Sequence, residues 1–108
     1  MPPVTKKNQK SKPGCVAAAL TILGDKWTGL IVQQLVQGPK CYTDLATNLS
    51  GISPRTLSAR IDKLLASGVI SKEIYCSHPP RYEYSLTKKG EELEKILKAM
   101  VNWGDKYS

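Results

Sequence analysis

The chain has 108 residues, 41% of them hydrophobic, and a formal net charge of +7: enough for one compact domain with a real core and too few for two. No apolar run approaches the roughly 18 residues of a membrane span, and no hydrophobic signal region follows the basic start, so export is not expected and the predicted location is the cytoplasm. The cation surplus favours polyanions such as DNA, whose condensed counterions are released on association, although many basic proteins bind no nucleic acid.

Met1 to Pro13 is polar and contains Lys6, Lys7, Lys10 and Lys12 with no acid. It reads as a flexible basic arm, either solubilising or laid along DNA phosphates, ahead of a single domain over residues 14–108. Cys15 to Leu23 predicts a short Ala-rich helix with Val16, Ala19, Leu20 and Leu23 on one side, broken at Gly24-Asp25. Lys26 to Val36 predicts a second helix, because Trp27, Leu30, Ile31, Gln34 and Leu35 recur at the spacing of a buried stripe. Gly38-Pro39 ends it.

Thr43 reads as the N-cap of a short helix over Asp44 to Asn48, with Leu45 and Leu49 turned inward. After the turn Ser50-Gly51-Ile52, Ser53 caps a longer helix with Pro54 at its first position, where the missing N–H costs nothing. That helix is predicted to reach about Ala66 and stop at Gly68, with Leu57, Ile61, Leu64 and Leu65 as its core stripe. Val69 to Tyr75 is rich in β-formers, Cys76 to Arg81 reads as a loop around Pro79-Pro80, and Tyr82, Tyr84 and Leu86 alternate with polar residues as a second, half-buried strand. Thr87 caps a final helix whose Leu93, Ile96, Leu97, Met100, Val101 and Trp103, extended by Tyr107, form a wide apolar stripe.

Two helices joined by a Gly-containing turn and followed by a basic hairpin form a unit that can place one helix in a DNA major groove. The helix from Ser53 carries Arg55, Thr56, Ala59 and Lys63 opposite its core stripe, with Ser58 and Arg60 on the flanks; Ser53 itself and Thr43 join these as expected DNA contacts. Arg55 and Thr56 lie in the first turn, which usually touches base edges, and an arginine can grip guanine O6 and N7 together. Ala59 leaves room for close approach or a thymine methyl. Arg60 and Lys63 are better placed for phosphates, Arg81 for a phosphate or the minor groove, and the start of the Thr43 helix for a phosphate oxygen. Each of these residues alone could equally belong to a solvated helix face; their ordered assembly carries the expectation.

Cys15, Cys41 and Cys76 are odd in number and contain no CxxC pair, and Cys76 with His78 is too small a set for a tetrahedral metal. No metal and no cofactor is expected. The single His has no recognisable partner, so no catalytic constellation is expected either.

The stretches Gly24-Asp25-Lys26-Trp27, Gly51-Ile52-Ser53, Leu57-Ser58-Ala59-Arg60, Gly68-Val69-Ile70 and Pro79-Pro80-Arg81-Tyr82-Glu83-Tyr84-Ser85-Leu86-Thr87 resemble the HxlR family of winged-helix transcriptional regulators, related to the MarR proteins. The resemblance runs from Cys15 to about Tyr107. It implies an α+β, mainly α, winged helix-turn-helix whose first and last helices pack across a two-fold axis, and a homodimer that binds a pseudo-palindromic operator in double-stranded DNA. Val16, Leu20, Leu93, Leu97, Met100, Val101 and Trp103 would form that dimer contact. Several proteins of the family sense oxidants or electrophiles through a cysteine just before the first helix, the position of Cys15. A helix N-terminus, with Lys12 near, would favour its thiolate. This chain departs from the pattern there, with Gly14 before the cysteine and Val16 after it, where the family often has proline. The resemblance names no small-molecule effector. The rival reading is a winged-helix module that binds a protein partner, or nucleic acid without sequence preference.

Overall fold

The computed structural model describes residues 16–108; the expected basic arm and Cys15 lie outside them. The described chain forms α1 (residues 16–23), α2 (Lys26–Val36), β1 (Lys40–Cys41), α3 (Tyr42–Asn48), α4 (Pro54–Ala66), β2 (Ile70–Ser77), β3 (Pro80–Leu86) and α5 (Lys88–Tyr107). This is the mainly helical winged helix-turn-helix that the sequence predicts. A three-stranded antiparallel sheet in the order β1-β3-β2 closes one side.

The core joins α2, α3, α4, the base of the sheet and the first half of α5. Ile31, Val32, Leu45, Leu57, Leu64 and Val69 are fully buried at its centre, and burying each such side chain stabilises the fold by about 1.5–3 kcal/mol. Trp27 packs against this cluster, half-buried. The buried stripe of α2 is Thr28, Ile31, Val32 and Leu35, turned from the predicted one: Gln34 instead uses its side-chain carbonyl to accept from the Asn48 amide at 2.8 Å. Thr28 is a buried polar residue made tolerable by Asp25, the N-cap of α2. The Asp25 carboxylate accepts the Thr28 N–H and the Thr28 hydroxyl, both at 2.9 Å.

Helix α4 starts as predicted, with the Ser53 hydroxyl accepting the Thr56 N–H at 3.1 Å. Its end is a Schellman motif: the Val69 N–H reaches the Leu64 carbonyl at 3.0 Å and the Gly68 N–H the Leu65 carbonyl at 3.1 Å. Gly68 sits at φ +77°, a conformation that a side chain would strain. Thr87 caps α5 by accepting the Gly90 N–H. Gly90 is needed for a different reason: a Cβ there would run into the Val69 carbonyl and the Leu86 side chain, so α5 lies directly on the sheet.

Three expectations are corrected. Thr43 is not an N-cap; α3 begins one residue earlier at Tyr42, with Cys41 at the cap and no side-chain capping bond. The cause is β1, whose Lys40 and Cys41 pair with Tyr84 and Glu83 and so fix the entry to the helix. The loop predicted from Cys76 to Arg81 shrinks to the His78–Pro79 turn, because β2 reaches Ser77 and β3 begins at Pro80. Pro80 is tolerated there as the first residue of its strand. Arg81 therefore stands within β3, opposite Cys76, rather than in a loop. Finally, Leu93 and Leu97 are 8% and 7% exposed and belong to the domain's own core, which removes them from the set available to another subunit.

Candidate nucleic-acid interface

The helix-turn-helix is held at both ends. The Tyr42 hydroxyl on α3 donates to the Pro54 carbonyl at the start of α4, at 3.4 Å, and the Asn48–Gln34 bond ties the end of α3 to α2. Between them the turn passes through Gly51 at φ +89°. With Leu57, Ile61 and Leu64 buried, the outward face of α4 is set by geometry: Arg55, Ser58, Ala59 and Asp62 are exposed at the i, i+3, i+4, i+7 spacing. Thr56, Arg60 and Lys63 flank it, half-buried.

That face differs from the predicted one in three ways. Ser58 belongs to its centre. Asp62, which was not singled out, places a carboxylate among the cations; reading the exposed residues at helical spacing would have found it. Ser53 is committed to capping: besides accepting the Thr56 N–H, its hydroxyl donates to the Thr56 hydroxyl at 2.9 Å. Thr43, in the first turn of α3, is exposed.

Arg60 is drawn inward. Its Nε lies 3.2 Å from an Asp25 carboxylate oxygen, and this buried N–H has no hydrogen-bond acceptor, so the contact is an ion pair rather than a directed bond. Burial pushes the Asp25 carboxyl upward, but the Thr28 N–H, the Thr28 hydroxyl and the Arg60 guanidinium together outweigh it and hold the group below its ordinary 3.8. The free phosphate contact expected of Arg60 is thus replaced, for its Nε, by a contact within the fold. Lys63 and Arg55 have no ion-pair partner among the described residues.

The wing projects. From Ser71 to Tyr75 every residue of β2 is exposed, and burial on β3 begins only at Glu83 and Tyr84. Burial pushes the Tyr84 phenol up, with smaller contributions from Asp62, Tyr42 and Tyr82. The pairing runs Ile74 to Tyr82 and then Cys76 to Arg81, leaving Tyr75 as an extra residue in a bulge. The Lys72 ammonium lies over the Tyr82 ring at 4.5 Å. Arg81 is exposed and, with Tyr42 and Thr43, lines a cleft of about 180 Å³ between the start of α3 and the wing. The start of α3 thus touches both the start of α4, through the Tyr42–Pro54 bond, and the wing, through this cleft; Arg55 is exposed on α4 and Arg81 on the wing. His78 is exposed, its ring Nδ1 3.2 Å from the Ser77 hydroxyl. Among the described residues no three His, Cys, Asp or Glu side chains are grouped to hold a metal ion.

The first and last described helices also carry exposed apolar side chains. Val16 and Leu20 on α1, and Ile96, Met100, Val101, Trp103 and Tyr107 on α5, are all exposed. No helix of the described residues is long and apolar enough to cross a membrane.

A family model described as HxlR-like helix-turn-helix matches residues 22–108. Among curated relatives, the HTH-type transcriptional regulator YdeP of Bacillus subtilis is 38% identical over 95 residues, covering 87% of this chain and 74% of its own. Among solved structures, the redox regulator HypR in its oxidized form superimposes with a TM-score of 0.79 at 32% identity, over 86% of this chain and 96% of HypR. The reduced form of the transcriptional regulator YodB from B. subtilis does so with a TM-score of 0.78 at 28% identity, over 89% and 93%.

Proposed function

Because the chain belongs to the HxlR-like helix-turn-helix family of transcriptional regulators, not enzymes, we propose that it acts in the cytoplasm as a homodimer bound to a pseudo-palindromic operator in double-stranded DNA. The observation that carries this reading is that the start of α3 touches both the start of α4 and the wing, with Arg55 exposed on α4 and Arg81 exposed on the wing. Helix α4 enters the major groove. Arg55 reads guanine O6 and N7, Ala59 meets a thymine methyl, and Asp62 accepts from a cytosine amino group. Lys63, Lys72 and Arg81 grip phosphates, which fix register without reading sequence.

The dimer buries the exposed apolar residues of α1 and of the second half of α5: Val16, Leu20, Met100, Val101 and Trp103, with Ile96 and Tyr107. A patch of this kind on a small domain marks an interaction surface, and two-fold symmetry sets the two α4 helices about one duplex turn apart. We assign a response to oxidants or electrophiles to Cys15, supported by its place ahead of α1 and by the likeness to HypR, a redox regulator.

A band shift on the DNA upstream of the protein's own gene, with random competitor and a salt series, tests the reading. A competitor-resistant complex is the expected result; loss of the complex to random DNA would leave a generic binder. For the sensor, diamide or a quinone should weaken the complex of the parent and spare that of Cys15→Ser, and equal responses would remove Cys15 from this role.

A further inference from the structure

We propose that Asp25 is a positioning residue for DNA binding: a single carboxylate holds both the start of α2 and the Arg60 guanidinium, and so fixes how α4 is carried. The inference rests on the reading of α4 as the helix that meets DNA.

Four observations converge on this side chain. One Asp25 oxygen accepts the Thr28 N–H and also faces Arg60 Nε at 3.2 Å, while the other accepts the Thr28 hydroxyl. Thr28 is fully buried, so the carboxylate is anchored to a group that cannot shift without opening the core. Arg60 lies midway along α4, between its outward face and its buried stripe, and its buried Nε–H has no hydrogen-bond acceptor. Removing one partner of this contact, whose side chains are 32% and 30% exposed, takes away the counter-charge that holds the other and frees the Arg60 side chain to leave its present position. Finally, Gly24-Asp25 is the two-residue joint between α1 and α2. The ion pair therefore bridges that joint to the middle of α4, 35 residues along the chain.

Asp25→Asn keeps an acceptor for the Thr28 N–H and removes the charge that faces Arg60. Arg60→Gln breaks the same pair from the other side. Both variants, and the double variant, would be compared with the parent for operator affinity across a salt series, well below their melting temperatures. Each single change should lower affinity by about tenfold, and the double change by no more than either alone, as expected for coupled neighbours. The slope of log affinity against log salt should stay at the parent's value, because no phosphate contact is lost.

If Arg60→Gln instead lowers that slope by about 0.9, the loss of one phosphate contact, and Asp25→Asn leaves or raises affinity, Arg60 is a DNA contact and the proposal is overturned. It is overturned equally if Asp25→Asn lowers only the melting temperature. A parent protein that forms no competitor-resistant complex overturns the DNA-binding reading itself, a result visible before any variant is compared.

Discussion

Helices α4 and α5 both carry long apolar stripes, yet they use them differently. In α4, over 13 residues, Leu57, Ile61 and Leu64 are buried and the exposed positions are small, polar or charged. In α5, over 20 residues, burial is confined to Gly90, Leu93 and Leu97; beyond them Met100, Val101, Trp103 and Tyr107 face outward, and Trp103 is 67% exposed. A helix whose apolar side chains are all used inside the domain has an outer face free to contact a polar ligand. A helix that keeps its stripe past the end of its own core presents a surface for something else to cover. The contrast matches the proposed separation of reading from assembly within one small fold, and both sides of it can be tested.

The largest expected effect is on α4 itself. Leu57→Ala should cost about 2–5 kcal/mol, from lost burial plus a residual cavity, measured by denaturant unfolding at fixed protein concentration. A cost below about 1 kcal/mol would show that α4 is not held by the core. Trp103→Ala tests the other helix: it should leave the spectroscopic signature of the fold intact while weakening self-association by about 2 kcal/mol, the scale of an interface anchor. Sedimentation over a dilution series reads this directly, and an unchanged oligomeric state would break the proposed division of roles.

Smaller effects sharpen the outer face of α4. Arg55→Ala should relax preference at one base pair per half-site by about 1–3 kcal/mol, whereas Lys63→Ala should weaken all sequences alike and lower the salt slope by about 1. Parallel losses from both changes would deny Arg55 a reading role. Smallest is the acid response of Asp25. Its folded-state pKa lies below the ordinary 3.8, so the stabilisation is complete above that value and fades as pH falls through the lower folded one. The gap between the melting temperatures of the parent and Asp25→Asn should therefore be steady above pH 3.8 and narrow as pH falls below it; a gap that does not change with pH would show that the carboxylate charge adds nothing.

What the sequence made legible follows from how local each signal is. Ser53-Pro54, Gly68 and Thr87 mark helix ends through contacts within a few residues, and the structure places those ends as read. The start of α3 was misplaced because it depends on β1 pairing with Tyr84 and Glu83, more than 40 residues away. The wing strands ran longer than Pro79-Pro80 suggested, since Pro80 needed only to stand first in its strand. In the site, Arg55 and Ala59 were legible from helical spacing, and so was Asp62, had the exposed positions been followed one turn further. The inward turn of Arg60 was not, because its partner Asp25 caps another helix, 35 residues earlier. The apolar stripe of α5 was legible as a whole, but not the point where the core stops covering it.

The base of the wing has a consequence of its own. Its two feet are stitched together: the Thr87 hydroxyl donates to the Gly68 carbonyl at 2.6 Å, the Thr87 N–H to the Val69 carbonyl at 3.0 Å, and Lys89 to the Ser67 carbonyl at 2.6 Å. Ile70 and Leu86 pair just above. A hairpin closed at its root in this way behaves as a cassette. Ser71 to Tyr82 can be lengthened, shortened or recharged while both ends stay fastened to α4 and α5. Exchange of that one strip between relatives offers evolution, or an engineer, a route to retune the proposed grip on the duplex without rewriting α4.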